Sequence, residues 1–163
     1  GIRNTRNDRR LARTAADEDS TLARYFASVP ENWDHFMGVF YRLGPKNPKR
    51  PKIQSGQVVT IAYTARFLED GRLFDDTYST KQPLTFRLGD PGQVIKGLEI
   101  AVHLLPDGGK GRFIIPSALA FGAEGSSSRI VPPWTPVLYD VEVTEASEVA
   151  PLTLLKDSAV GTH

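Results

Sequence analysis

Pro91-Gly92-Gln93-Val94-Ile95-Lys96-Gly97-Leu98-Glu99 joins a turn to a helix. The proline-glycine pair sets the turn, because proline fixes one backbone angle and glycine tolerates the reversal after it. Val94 and Ile95 are adjacent, apolar and β-branched, and Gly97 comes next. Beyond them Leu98, Ala101, Val102 and Leu105 fall at helical spacing, which predicts a short helix over 97–105 with one apolar face. Pro106-Asp107-Gly108-Gly109 ends it, since proline has no backbone N–H and the glycines permit a turn. The flanking segments carry strand patterns. One short helix among strands requires the sheet to cover its apolar face.

Working outward, Val59, Ile61, Tyr63 and Ala65 alternate with Val58, Thr60, Ala62 and Thr64, a two-faced strand whose first set is the more apolar. Glu69-Asp70-Gly71 signals a hairpin turn, Arg72 to Asp75 the next strand, and Asp76 to Gln82 a polar loop. Pro83 to Leu88 alternates again before the helix. After it come a strand over Gly111 to Pro116, a long loop over Ser117 to Pro136, and a strand over Thr135 to Val143. Val137, Tyr139, Val141 and Val143 share one face of that strand. Loops as long as 117–136 within a compact domain are usually functional.

The N-terminal part differs in character. Residues 1–52 hold 11 Lys/Arg against 6 Asp/Glu, and the remainder 9 against 13, so a basic leader precedes a mildly acidic body. Five of the arginines fall within Gly1 to Arg13. That arm reads either as a solvated segment or as an anchor for an anionic surface. No aromatic residue is interleaved with the arginines, which argues against nucleic acid. Asp17-Glu18-Asp19 suits a helix start, with Asp17 or Asp19 as cap, and Leu22, Tyr25 and Phe26 form its apolar face. Trp33, Phe36 and Met37 are expected to pack this extension onto the body. Val39-Phe40-Tyr41 has the composition of an edge strand, and Gly44 to Gly56, with three prolines and four Lys/Arg, that of a linker. The expected division is an arm and helical extension over 1–37, an edge strand and linker over 38–55, a body over 56–146, and a tail over 147–163.

Much chemistry is excluded. The 163 residues include no cysteine, so there is no disulfide, thiolate metal site or thiol nucleophile. His35, His103 and His163 lie far apart, without metal-ligand spacing. Asp75 and Asp76 are neighbours on a strand and point to opposite faces, so they do not form an acid/base pair. Ser126-Ser127-Ser128 has no histidine near it to act as a base. No metal or cofactor is expected, and what remains is an apolar cleft. By pattern alone, Tyr63, Phe74, Phe86 and Val94 read equally well as core residues and Asp75 as a turn cap.

Tyr63-Thr64, Leu68-Glu69-Asp70-Gly71, Phe74-Asp75, Gln93-Val94-Ile95-Lys96-Gly97, Ile115-Pro116, Ala120-Phe121-Gly122 and Ile130-Val131-Pro132-Pro133 together resemble, in order and spacing, an FKBP-type peptidyl-prolyl cis-trans isomerase domain. The resemblance covers about residues 55–145. It implies an α+β fold, an antiparallel five- or six-stranded sheet wrapped around one short central helix, here with an N-terminal helical extension. The extension is more loosely similar to that of envelope-associated bacterial members.

The resemblance also implies a site. Tyr63, Phe74, Asp75, Ile95 and Phe121 fall on the catalytic positions, with the Ile95 N–H binding a substrate carbonyl. Leu84, Phe86, Val94, Leu98, Ile130, Val131 and Tyr139 fall on positions that bind substrate or macrolide. Four of these depart from the family pattern: Leu98 stands for tryptophan at the pocket floor, Phe121 for tyrosine, Tyr139 for phenylalanine and Leu84 for phenylalanine. The implied function is isomerisation of X-Pro bonds in unfolded or partly folded proteins, with macrolides as inhibitors. The alternative is a weakly active or inactive chaperone or peptide-binding module that keeps the cleft. The resemblance further implies a monomer in the bacterial cell envelope, periplasmic or tethered through an anchor upstream of Gly1, with the cytoplasm as the other location.

Overall fold

The computed structural model describes residues 13–45 and 49–148. The arginine-rich segment 1–12, linker residues 46–48 and the tail from 149 lie outside them. In chain order the elements are α1 (Ala15–Ser28), β1 (Asp34–Phe36), β2 (Val39–Leu43), β3 (Val58–Phe67), β4 (Leu73–Asp76), α2 (Thr77–Thr80), β5 (Leu84–Arg87), α3 (Lys96–Leu104), β6 (Lys110–Ile115), a 3₁₀ turn (Ser117–Leu119) and β7 (Val137–Ala146).

The strands form one antiparallel sheet in the order β1-β2-β6-β7-β3-β4, and β5 also pairs with β3. Ten-residue β3 can serve three partners because its two edges are used separately. One edge pairs with β7 from Val59 to Phe67. The other is shared, with β5 along Val58–Ile61 and β4 along Thr64–Arg66. The count of seven strands exceeds the expected five or six because the edge segment 39–43 joins β6 and β1 folds back onto it. The three residues of β1 are all exposed, so no burial alternation marks the strand in the sequence.

Alternation divides the sheet's two faces. Val59, Ile61, Tyr63, Ala65 and Phe67 of β3 lie on the face that holds the main core, with Phe113 and Ile115 of β6 and Val137, Tyr139, Val141 and Val143 of β7. Helix α3 fills that face with Leu98, Ile100, Ala101 and Val102. It lies close: a Cβ on Gly97 would sit inside the Ile115 side chain, which is why a glycine stands there.

Ile114 and Leu138 point the other way and join Leu68 in a second cluster. Leu22, Tyr25 and Phe26 of α1, with Trp33 and Phe40, cover it. A 14-residue helix is marginal alone in water, so α1 owes its stability to this seat. Its cap differs from the expected Asp17 or Asp19. The Thr14 hydroxyl oxygen accepts from the Asp17 N–H, and Asp17 Oδ2 accepts in return from the Thr14 N–H at 3.0 Å. Asp17 is thus the third residue of a capping box, and this hydrogen bonding holds its carboxyl below its usual pKa. Of the three apolar residues expected to pack the extension down, only Trp33 does so. Phe36 and Met37 are 44% and 62% exposed: Phe36 ends β1, and Met37 lies in the β1–β2 turn, where it and Gly38 take positive φ.

Candidate active site

The sheet, the start of α3 and the long loop after β6 enclose a cleft of ≈ 390 Å³ lined by Tyr63, Asp75, Leu84, Gly92, Gln93, Val94, Ile95, Leu98, Phe121 and Tyr139. Leu98, 3% exposed, comes from the buried face of α3, and Val94 and Ile95 from its approach. Tyr63 from β3 and Tyr139 from β7 lie with ring centroids 5.2 Å apart. Phe74 stands edge-on to Phe121 at 6.3 Å and to Tyr139 at 6.2 Å, and stacks on Phe67 at 4.8 Å. Such offset and edge-on contacts fix aromatic rings relative to one another.

The polar groups are few and placed. The Tyr63 hydroxyl donates to Asp75 Oδ2 at 2.7 Å. Burial, then the bond to Asp75, pushes the Tyr63 phenol well above its usual pKa, so it stays protonated. Tyr139 is pushed up too, by burial first and then by Tyr63 and Asp75. Among the described residues its hydroxyl makes no hydrogen bond. Ile95 is the N-cap of α3, and its backbone N–H likewise donates to no acceptor among the described residues. Beside the positive end of α3, such an N–H suits a carbonyl oxygen.

Two supports leave no mark on sequence reasoning. The first is Thr77, 5% exposed, in a segment whose polar composition reads as loop. Its Oγ1 accepts from the Tyr63 N–H at 2.7 Å and donates to the Tyr63 carbonyl at 3.2 Å. It thereby bridges the gap on the β3 edge between β5 and β4. Asp76 starts the short α2 by accepting from the Tyr78 and Ser79 N–H groups. An acidic residue followed by Thr-Tyr-Ser-Thr is a local capping signal, but the bond to Tyr63 spans 14 residues and leaves no local trace. The second is Gln93, whose amide nitrogen donates to Arg87 O at 2.8 Å and whose Oε1 accepts from the Arg87 N–H at 3.2 Å. It closes the 87–93 turn and so places Val94 and Ile95.

Comparison with known proteins bears directly on this arrangement. Residues 49–144 match the model of the FKBP-type peptidyl-prolyl cis-trans isomerases. The chain belongs to that family. Its activity is accordingly the cis-trans isomerisation of X-Pro peptide bonds, and proline-containing peptides are the family's general substrates. A FK506-binding protein of Neisseria meningitidis serogroup C is 39% identical over 93 residues, which are 57% of this chain and 83% of the relative. A probable FKBP-type peptidyl-prolyl cis-trans isomerase of Haemophilus influenzae is 31% identical over 137 residues, 84% of this chain and 54% of the relative. The crystal structure of FkpA from Escherichia coli superposes with a TM-score of 0.70 at 26% identity, covering 83% of this chain and 62% of that one. The antiparallel sheet around α3 is the FKBP fold.

Within this FKBP domain the remaining expected site residues are spread more widely. Phe74 stands behind Phe121 and Tyr139 and does not line the cleft. Phe86 and Val131 are 3% and 2% exposed in the main core, and Ile130, on the long loop, is 55% exposed. A larger groove of ≈ 770 Å³ lies between α1 and the β3–β4 turn. It is lined largely by the charged residues Arg13, Arg24, Arg72, Glu69 and Asp70, with Tyr25 and Leu68. Among the described residues no cluster has the composition of a metal site.

Proposed function

We propose that the cleft over Leu98 is where the isomerisation takes place. The observation that carries this is an Ile95 N–H with no acceptor among the described residues, at the mouth of an aromatic-walled pocket floored by Leu98. The proline ring seats on Leu98 between Tyr63, Phe121 and Tyr139, with Val94 and Leu84 at its sides. The Ile95 N–H holds a substrate carbonyl. Asp75, itself held by Tyr63, orients the peptide at the rim, while Ile130 on the overhanging loop limits how the chain leaves.

Amide resonance sets a barrier of ~18–20 kcal/mol to rotation. In the twisted amide that resonance is lost, the carbonyl is less polar, and an apolar pocket favours it over the planar forms. The proline nitrogen becomes a better hydrogen-bond acceptor at the same time. Each ~1.36 kcal/mol of such selective stabilisation gives about tenfold in rate, and the chain's own residues need form no covalent bond to the substrate.

The clients proposed are unfolded or partly folded proteins with exposed prolines, handled by a monomer. Macrolides are proposed as competing ligands of the same cleft, supported by the name of the Neisseria relative, a FK506-binding protein. A bacterial cell-envelope location is proposed from the similarity of the extension to that of envelope-associated members. Among the described residues no helix is long and apolar enough to cross a membrane. The working division proposed is an extension to residue 37, an edge strand and linker over 38–55, the isomerase body over 56–146 and a tail beyond.

The deciding experiment is protease-free isomerisation of an Xaa-Pro peptide series followed by exchange NMR. Acceleration that a macrolide abolishes, with chemical-shift changes at Ile95 and Leu98, supports the assignment. Acceleration with shifts confined elsewhere overturns it.

A further inference from the structure

Glu18 on α1 is 8% exposed, and both oxygens of its carboxylate are used on one distant residue. Oε2 accepts from the Ser117 backbone N–H and Oε1 from the Ser117 hydroxyl, each at 2.7 Å. Ser117, 1% exposed, opens the 3₁₀ turn that starts the long loop after β6. The residue before that turn is Pro116, which offers no side-chain cap, so the first N–H of the turn has no local acceptor. Glu18 supplies the acceptor from 99 residues away.

The start of the long loop hangs from Ser117. Its carbonyl accepts from the Ala120 N–H at 2.9 Å and the Gly122 N–H at 2.7 Å, and the Gly122 carbonyl accepts from the Trp134 N–H at 3.0 Å. Phe121 lies between these anchored residues, lines the cleft and meets Phe74 edge-on behind it. Burying a carboxylate is costly unless its hydrogen bonds are complete, and an apolar residue would pack α1 to the sheet without that cost. The second cluster already performs that packing. The bonds to a charged acceptor are strong and directional, so they fix where the turn begins.

We infer that α1 is a working part of the isomerase, with Glu18 a positioning residue that holds Ser117 and through it places Phe121 over the cleft. This rests on the cleft being the site of reaction. The extension then contributes to substrate affinity without touching substrate.

The test compares the full chain with Glu18→Ala and Glu18→Gln. Glutamine keeps an oxygen for the Ser117 N–H, and its amide nitrogen can donate to the Ser117 hydroxyl, so it is the conservative rescue. Expected for Glu18→Ala are a KM raised about threefold to tenfold with kcat changed less, and faster amide hydrogen exchange at Gly122 and Trp134. Glu18→Gln should restore most of both. A folded Glu18→Ala protein with unchanged KM and unchanged exchange overturns the inference, as does a glutamine variant no better than alanine. If Glu18→Ala does not fold, Ser117→Ala removes only the hydroxyl bond and should show the same two changes more weakly; their absence overturns it as well. Wild-type protein without turnover counts against the cleft instead, and the exchange rates at Gly122 and Trp134 still decide the brace.

Discussion

The Tyr63 hydroxyl donates to Asp75 Oδ2 across 2.7 Å, joining β3 to β4 at the mouth of the cleft. Asp75 is exposed, so the bond contributes little to the fold and mainly to the direction of both side chains. Asp75→Val should leave the melting temperature nearly unchanged and lower kcat/KM about tenfold, equivalent to ~1.4 kcal/mol of lost orientation. Asp75→Asn keeps an acceptor for Tyr63 and should retain more of the activity. Exchange NMR on both variants checks this, and equal loss in the two would assign the effect to charge.

Thr77 satisfies both backbone groups of Tyr63 on the β3 edge. Thr77→Val is nearly isosteric yet leaves the N–H and the carbonyl unpaired, at about 1–3 kcal/mol for each buried group. Urea unfolding should show a lower midpoint with an unchanged slope, and turnover should fall with it because Tyr63 is displaced. Thr77→Ser keeps the hydroxyl and should lie between valine and the native residue.

The raised phenols of Tyr63 and Tyr139, the most strongly shifted tyrosines, give a signed pH dependence. A phenol whose folded pKa exceeds its unfolded value favours folding while protonated. That contribution is complete below the ordinary value of 10.0 and is lost as pH rises through the folded pKa. Stability should therefore hold to about pH 9 and decline above about 10. In an alkaline titration followed by tyrosinate absorbance, Tyr63 and Tyr139 should ionise with unfolding and not before. Tyr63→Phe and Tyr139→Phe should each remove one phenol from that late step. Ionisation of both near pH 10 in the folded protein would contradict the assignment.

At the cleft, Phe121 presents a ring without a hydroxyl and Tyr139 a ring with one. Phe121→Tyr should tighten macrolide binding by about threefold to tenfold, the range of one neutral hydrogen bond of roughly 0.5–1.5 kcal/mol. Tyr139→Phe removes a hydroxyl that has no hydrogen-bond partner among the described residues, so its stability should be unchanged or slightly raised. Its peptide affinity should fall if that hydroxyl meets substrate. Calorimetric titration with a macrolide and a proline peptide separates the two residues.

Sequence periodicity carries far where a residue's role is set by its neighbours in the chain. The alternation in 58–65 and 137–143 separates the core face from its reverse, and the 98, 101, 102, 105 spacing places α3 within one residue at each end. Its reach stops where the partner is remote. Nothing near Glu18 announces Ser117, and nothing near Thr77 announces Tyr63. Phe86 reads as part of the site or of the core, since an alternating strand has the same pattern whether its buried ring lines a cleft or fills the space beneath it. In the structure it is in the core. Asp17 passes for a cap in the sequence because acidic residues suit any position in a first helical turn, while Thr14 alone has the capping geometry.

The strand order places β7 between β3 and β6, with Phe67 opposite Val137 and Lys110 opposite Glu142. During synthesis, then, the two halves of the sheet wait for their shared middle strand, which is translated after all the others. Closing the β3–β7 pairing brings together residues 70 to 87 positions apart, from Phe67 with Val137 to Val59 with Ala146, an ordering cost that slows folding. Tyr139, a wall of the cleft, arrives on that strand. A ribosome-bound chain ending before residue 137 therefore has no cleft, and the enzyme cannot assist its own prolines before its sheet is complete.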